Sequence, residues 1–297
     1  MRVLITGATR GLGLAAARAV AAGGGDVVVA GRDTAAVKRV ADEIQGTPLE
    51  LDLASPTQVR RAAAEIGATV APVDAVICNA GVQIVAGPTF TTDGVEQTIA
   101  VNALGHVVLV DALLASTFTS TFTSTSSRPH VVFLGSATHD PAHTTGMPAP
   151  AETLDLPALA RGELTSDGRQ RYSTSKLHCT ALTGAYARAH PTLRWTCFDP
   201  GLMPGTGLAR DYPAWQRALW VTFFRALSVL PFGSTATRSG GALARVVSDD
   251  PPPSASGSIV DFRLREIRCS LRAGDPTYQD ALLAQYRRLA RQPSPAT

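Results

Sequence analysis

Val3-Leu4-Ile5-Thr6-Gly7-Ala8-Thr9-Arg10-Gly11-Leu12-Gly13 stands at the start of the chain, and its pattern decides the fold class. The apolar run before Thr6 reads as a short buried strand. Gly7, Gly11 and Gly13 then mark a turn where the backbone must bend sharply and admit a close neighbour without a side chain in the way. From Leu12 to position 22 the chain is Ala-rich and predicted helical. In a strand, glycine turn and helix in that order, the free N–H groups and positive dipole end of the helix face whatever lies over the turn. That environment suits a phosphate; the plain alternative is a tight turn with no ligand.

Working outward, the same unit recurs. Strands are expected at 26–30, 49–51, 73–78, 130–134, 194–198 and 258–262, and helices at 34–44, 56–69, 94–116, 171–189 and 234–247. Ser55 and Pro56 supply the cap and first position of the 56–69 helix. Almost wholly apolar strands alternating with helices predict an α/β fold. The expected form is a single Rossmann-type doubly wound domain over 1–297, with about seven parallel strands flanked by helices. Three segments interrupt the alternation. Residues 116–127 (STFTSTFTSTSS) are low-complexity and read as a solvated loop. Residues 138–170 are rich in Pro, Gly and Asp. Residues 202–232 carry Trp215, Trp220, Phe223 and Phe224 and are expected to form an apolar lid, with core packing, a dimer contact or a membrane-touching helix as alternatives. Residues 293–297 are expected to fray.

Composition narrows the class. Twenty-seven basic against 24 acidic residues leave a net charge of +3, too little and too scattered to argue for nucleic acid. Cys78, Cys179, Cys197 and Cys269 show no C-x-x-C spacing, so reduced thiols are expected, with neither a disulfide frame nor a metal site. The apolar run before Thr6 is too short for a signal peptide, and no stretch approaches about 18 uninterrupted apolar residues. A cytoplasmic protein with no integral membrane segment is the expectation.

Two further patterns carry chemistry. Just after the second strand, Arg32 follows Gly31, and Arg10 lies inside the glycine turn. Two guanidinium groups near one adenosine ribose favour a 2′-phosphate and hence NADP(H) over NAD(H). Asp33 is either the competing acid for a 2′-hydroxyl or the cap of the next helix. Downstream, Tyr172-Ser173-Thr174-Ser175-Lys176 places an ammonium one helical turn from a phenol, on the same face. Its charge favours phenolate and is expected to bring Tyr172 down from ~10 toward the working pH of a general acid.

The glycine turn, Asp52-Leu53, Asn79-Ala80-Gly81, Asn102, Ser136, Tyr172 to Lys176 and Pro200-Gly201 occur in an order that resembles the short-chain dehydrogenase/reductase family over about residues 2–262. Thr92-Asp93-Gly94-Val95-Glu96 and Val101-Asn102-Ala103-Leu104-Gly105-His106 look like its branch of retinol dehydrogenases and protochlorophyllide reductases. Cys78 before Asn79, and Gly135 before Ser136, depart from that pattern. The resemblance implies an NADP-dependent enzyme acting on CH–OH or C=O. Its catalytic set would be Tyr172 as proton donor, Lys176 as its tuner and ribose contact, Ser136 on the substrate oxygen, and Asn102 holding a water that links Lys176 to solvent. Gly7, Thr9, Arg10, Gly11, Leu12, Gly13 and Arg32 would hold phosphates, and Asp52 and Leu53 the adenine. Asn79, Ala80 and Gly81 would form the floor, with Pro200, Gly201 and Thr206 over the nicotinamide. The implied substrate is the ketone or aldehyde of a bulky, apolar small molecule, one setting being the tailoring of natural products. The alternatives are a non-catalytic NADP(H)-sensing regulatory protein and a reductase of a tetrapyrrole double bond. Relatives commonly form homodimers or homotetramers. His139 and His143 are expected as solvated loop residues, His106 and His178 as packed or exposed helix residues, and Cys179 and Cys197 as core.

Overall fold

Strands β1 (Arg2–Thr6), β2 (Asp26–Gly31), β3 (Thr47–Glu50), β4 (Ala75–Cys78), β5 (His130–Leu134), β6 (Arg194–Asp199) and β7 (Ser258–Asp261) run parallel, in the order β3-β2-β1-β4-β5-β6-β7. The computed structural model describes residues 1–69, 72–116, 128–143, 145–165, 167–203 and 233–292. The low-complexity stretch 117–127, most of the expected lid (204–232), Thr206 and the 293–297 tail lie outside the described residues. The expected seven parallel strands are present. An eighth, β8 (Glu266–Ile267), pairs antiparallel with β7 after a tight turn at Leu264 (φ 62). Two residues are too few to leave a periodic signal in the sequence.

Helices cover both faces, which is why the middles of the inner strands are apolar on both sides. On one side, α1 (Gly11–Ala22), α2 (Thr34–Ile44) and α8 (Ala236–Ser248) enclose one core cluster. There α1 and α8 approach closely because Gly240 has no Cβ, which would sit 2.6 Å from Ala15 Cβ. On the other side lie α3 (Pro56–Thr69), α5 (Gly105–Ser116) and α7 (Gly168–Ala189). The expected single helix 94–116 divides into α4 (Gln97–Ile99), a π-turn (Ala100–Leu104) and α5; the N–H of Gly105 reaches back five residues to the Ala100 carbonyl. This stretch (97–116) is long and apolar enough to match a membrane span by composition, but 78% of its most apolar window is buried in the core.

Residues past 262 carry structure that the periodicity analysis left unassigned. After the short α6 (Leu156–Ala160) and α9 (Leu271–Gly274), helix α10 (Pro276–Ala290) packs Tyr278, Leu282, Leu283 and Tyr286 against the outer face of α7. Asp275 caps it through the Thr277 N–H, with Pro276 at the first position, and Arg287 ties it to Asp111 on α5 with two 2.9 Å bonds. Beneath, Trp195 stacks on Tyr186 at 4.8 Å between ring centroids. The strand order reverses between β1 and β4, so the carboxyl ends of those two strands open the crevice where such sheets bind ligands.

Candidate active site

At that crevice Gly7 (φ 65) and Gly11 (φ 57) adopt left-handed backbone that other residues rarely take. A Cβ on Gly13 would overlap both the Asn79 amide and the Gly7 carbonyl oxygen, whereas one on Gly11 would meet nothing. The turn is therefore packed from below by Asn79 and open above. Asn79 braces it: its Nδ2 donates to the carbonyls of Thr6 (2.8 Å) and Gly7 (3.3 Å), and its backbone N–H donates to Thr6 Oγ1 (2.9 Å). Asn79 thus reaches the cleft as a structural brace as well as a wall.

A single cleft of 540 Å³ runs over this turn. Gly7, Thr9, Arg10, Gly11, Leu12 and Gly13 line its middle. Arg32, Asp52 and Leu53 lie along one side, with Arg39, one turn into α2, beside them. Asn79, Ala80, Gly81 and Val82 form a further stretch, and Tyr172, Lys176, Pro200 and Met203 the remainder. Asp33 caps α2, its carboxylate accepting from the Ala36 N–H at 3.0 Å, so this acid is engaged with the helix while Arg32 and Arg39 bring cations to the same side of the cleft. Arg39 escaped the sequence analysis because only helical geometry, two turns from Arg32, brings it round to the cleft. The set fits a dinucleotide: a side-chain-free cradle under a helix N-terminus, cations near the second strand, and a phenol and ammonium on the same cleft wall.

The chemistry-bearing groups converge. The Ser136 side chain lies within hydrogen-bonding reach of Tyr172, and Lys176 Nζ lies 5.5 Å from the phenol ring centroid. Lys176 also donates to the Leu134 carbonyl at 2.9 Å, which holds the ammonium against the end of β5. The expectation of a net lowering of the tyrosine is corrected. Burial is the largest influence and pushes Tyr172 above its ordinary value; Lys176 and the Ser136 hydrogen bond oppose it, and the Asp199 carboxylate adds to the rise. Asp199, itself buried, is pushed up by desolvation, while the Gly201 N–H, 2.9 Å from its oxygen, works the other way. Ser136 caps a turn of 3₁₀ helix through the Thr138 N–H. Its neighbour Gly135 can only be glycine, since a Cβ would sit 2.5 Å from Cys197 Sγ.

Asn102 lies in the π-turn, outside the cleft wall. Its Oδ1 accepts from the Val82 N–H (2.7 Å), and its Nδ2 donates to the Val82 carbonyl and to Ser175 Oγ (2.9 Å each). Ser175 in turn donates to the Tyr172 carbonyl at 2.7 Å. Gly201, with φ 72, adjoins the cleft through Pro200.

Two groups depart from the sequence expectation or escaped it. His139 is 2% exposed, with Nδ1 2.7 Å from the Ser136 carbonyl and Nε2 accepting from the Ser270 N–H. It is a pin between loops and no solvated ring, because the 3₁₀ turn rolls it under residues 269–271; His143 is exposed as expected. Arg171, beside Tyr172, is fully buried in an ion pair with Glu96 (3.2 Å) and donates to the carbonyls of Thr165, Ile84 and Ala86. A charged residue in a helix reads from sequence as solvated, so nothing in the chain signalled this pair. Cys78, Cys179 and Cys197 are buried, and Cys269 is exposed.

The short chain dehydrogenase family model matches residues 1–140. Protochlorophyllide reductase A of Oryza sativa subsp. japonica is 36% identical over 305 residues, spanning 92% of this chain and 76% of that protein. Protochlorophyllide reductase of Avena sativa is 34% identical, over 92% of this chain and 94% of its own length. Among solved structures, an uncharacterized protein from Mycobacterium Paratuberculosis superposes with a TM-score of 0.70 at 28% identity, covering 99% of this chain and 95% of its own. Fold, cleft and relatives agree: the chain belongs to the short-chain dehydrogenase/reductase family of oxidoreductases.

Proposed function

We propose that this protein is an NADPH-dependent reductase of a ketone or aldehyde carried by a bulky, apolar small molecule, able to run in reverse as an alcohol dehydrogenase. The observation that carries this reading is the meeting of Tyr172 and Lys176 at a cleft that also presents Arg32 and Arg39, with Ser136 beside the phenol. NADPH bound along the cleft would supply the hydride for the carbonyl carbon.

The chain's own residues do the rest. Tyr172 Oη–H donates its proton to the carbonyl oxygen as negative charge develops there. Ser136 O–H donates to the same oxygen and holds the forming alkoxide, a dipole set in place before reaction. Lys176, pinned by the Leu134 carbonyl, offsets the burial that would otherwise forbid a phenolate once the proton has gone. Asn102 acts as a positioning residue, locking Val82 and, through Ser175, the turn that carries Tyr172. Arg32, with Arg39 and Arg10 nearby, supplies guanidinium groups for a 2′-phosphate, while Asp33 stays on its cap.

The names of the relatives favour a second reading, reduction of a tetrapyrrole double bond under light. One experiment separates the two. In the dark, the protein is expected to oxidise NADPH with at least one bulky ketone, and Tyr172→Phe to slow this by about 10²–10⁴-fold while still binding NADPH. NADPH consumption only with protochlorophyllide under illumination would replace the first reading with the second. Binding of NADPH without oxidation by either substrate would leave a sensor.

A further inference from the structure

His106 stands at the start of α5, directly after the π-turn, and is 1% exposed. A ring so buried loses its hydration, and the loss is offset only where both nitrogens find partners. Here both do. Nδ1 lies 3.1 Å from the Asn102 carbonyl oxygen, and Nε2 lies 2.9 Å from Thr6 Oγ1. A carbonyl can only accept, so Nδ1 carries the hydrogen and Nε2 is left as an acceptor. The Thr6 hydroxyl must then donate to Nε2. The Thr6 oxygen lies 2.9 Å from Nε2 and 3.4 Å from the Ile77 carbonyl, so its one hydrogen goes to the nearer ring nitrogen, while its lone pairs take the N–H groups of Asn79 and Ala80, each at 2.9 Å. Burial holds the ring neutral, at about 4, which preserves this tautomer at neutral pH.

The bonds therefore run one way, from the floor of the cofactor cleft to the Asn102 carbonyl, where a donor from the catalytic helix meets them. Asn79 and Ala80 donate to Thr6, Thr6 to His106, and His106 to Asn102. The Asn102 carbonyl also accepts from Cys179 Sγ at 3.3 Å, and the Asn102 side chain donates to Ser175, both partners lying on α7 with Tyr172 and Lys176. Gly105, next to the ring, lets the π-turn lie against the Leu53 backbone, since a Cβ there would overlap the Leu53 carbonyl. The whole helix is thereby keyed to the cleft at a fixed height.

Resting on the reading of Tyr172 and Lys176 as the catalytic pair, we infer that His106 is a positioning residue that sets the cofactor floor and the general acid at a fixed separation, by bridging Thr6 and the Asn102 carbonyl. A double-mutant cycle with Thr6→Val and His106→Phe tests it, read by fluorescence titration of NADPH affinity, by kcat and by thermal midpoint. Each single change is expected to weaken NADPH binding about tenfold, and the double change by clearly less than the product of the two, because the shared Thr6–His106 bond is removed in both. His106→Gln keeps an acceptor toward Thr6 and loses the donor to Asn102, so it lowers kcat more than NADPH affinity. His106→Asn keeps the donor and loses the acceptor, so the order reverses. These two variants carry the test should His106→Phe fail to fold. Independent, multiplicative effects in the cycle, or variants that shift only the thermal midpoint, would overturn the bridge. A wild-type protein that binds NADPH but reduces no carbonyl would instead sink the catalytic reading, and the binding cycle would still decide the role of His106.

Discussion

Acid should unfold this protein earlier than its carboxylates would demand, because three histidines are buried as neutral rings. Burial lowers His106 from 6.5 to about 4, and His130 and His178 to about 3. His130 pairs Nε2 with the Thr196 hydroxyl (2.9 Å), and His178 has the Tyr286 hydroxyl (2.7 Å) on one nitrogen and no partner on the other among the described residues. Among the described residues, no carboxylate pairs with any of the three rings. Since the folded values are depressed, the unfolded chain takes up these protons first. Their penalty is negligible above the unfolded value of 6.5 and grows as pH falls, until the folded values near 3–4 are reached. At about pH 5 each ring costs ~2 kcal/mol, so the three remove ~6 kcal/mol relative to neutral pH. That equals much of the roughly 5–15 kcal/mol that holds a typical domain together. Urea titrations followed by the fluorescence of buried Trp195 should show stability falling toward ~4 kcal/mol per pH unit below about pH 6. His178→Asn, which keeps an amide near Nδ1 and removes the titrating ring, should cut that slope by about a third. A wild-type slope worth less than one proton between about pH 5 and 6.5, or an unchanged slope in the variant, would refute the argument.

Other outcomes follow from single contacts. Glu96→Gln strands the buried Arg171 cation and should cost about 3–5 kcal/mol in urea unfolding, with the double change Glu96→Gln, Arg171→Met recovering part of that loss. Gly13→Ala forces a methyl group into the Asn79 amide and the Gly7 carbonyl, so about 1–3 kcal/mol of stability should go together with NADPH affinity in a titration. Arg32→Ala and Arg39→Ala should each reduce the preference for NADPH over NADH by about tenfold or more, measured as the ratio of kcat/KM values; an unchanged ratio would move the 2′-phosphate away from this wall.

Much of the fold was legible because parallel strands buried on both faces are largely apolar, and 3–5 and 131–134 are wholly so. The glycine turn was legible for a similar reason: few residues other than glycine tolerate φ 65 at position 7 or the crowding at position 13. Elements without a periodic signature stayed hidden. β8 is two residues long, the π-turn differs from its neighbours by one extra residue per hydrogen-bonded ring, and α10 follows a stretch of charged residues. For α10 a signal was present in Asp275-Pro276 followed by apolar positions at 278, 282, 283 and 286.

The sequence alone determined the α/β class, the glycine turn after the first strand, the pairing of Tyr172 with Lys176 and the candidates Arg10 and Arg32, since each depends on local geometry or on spacing along one helix. Tertiary structure alone decided what surrounds them. It set burial above the lysine as the dominant influence on the phenol, brought Arg39 to the cation wall, gave Asp33 to a helix cap, and hid the Arg171–Glu96 pair and the three neutral histidines in the core. Desolvation and hydrogen-bond partnership depend on which distant segments meet, as Thr6 and Asn102 meet across the ring of His106, and no local pattern in the chain encodes that meeting.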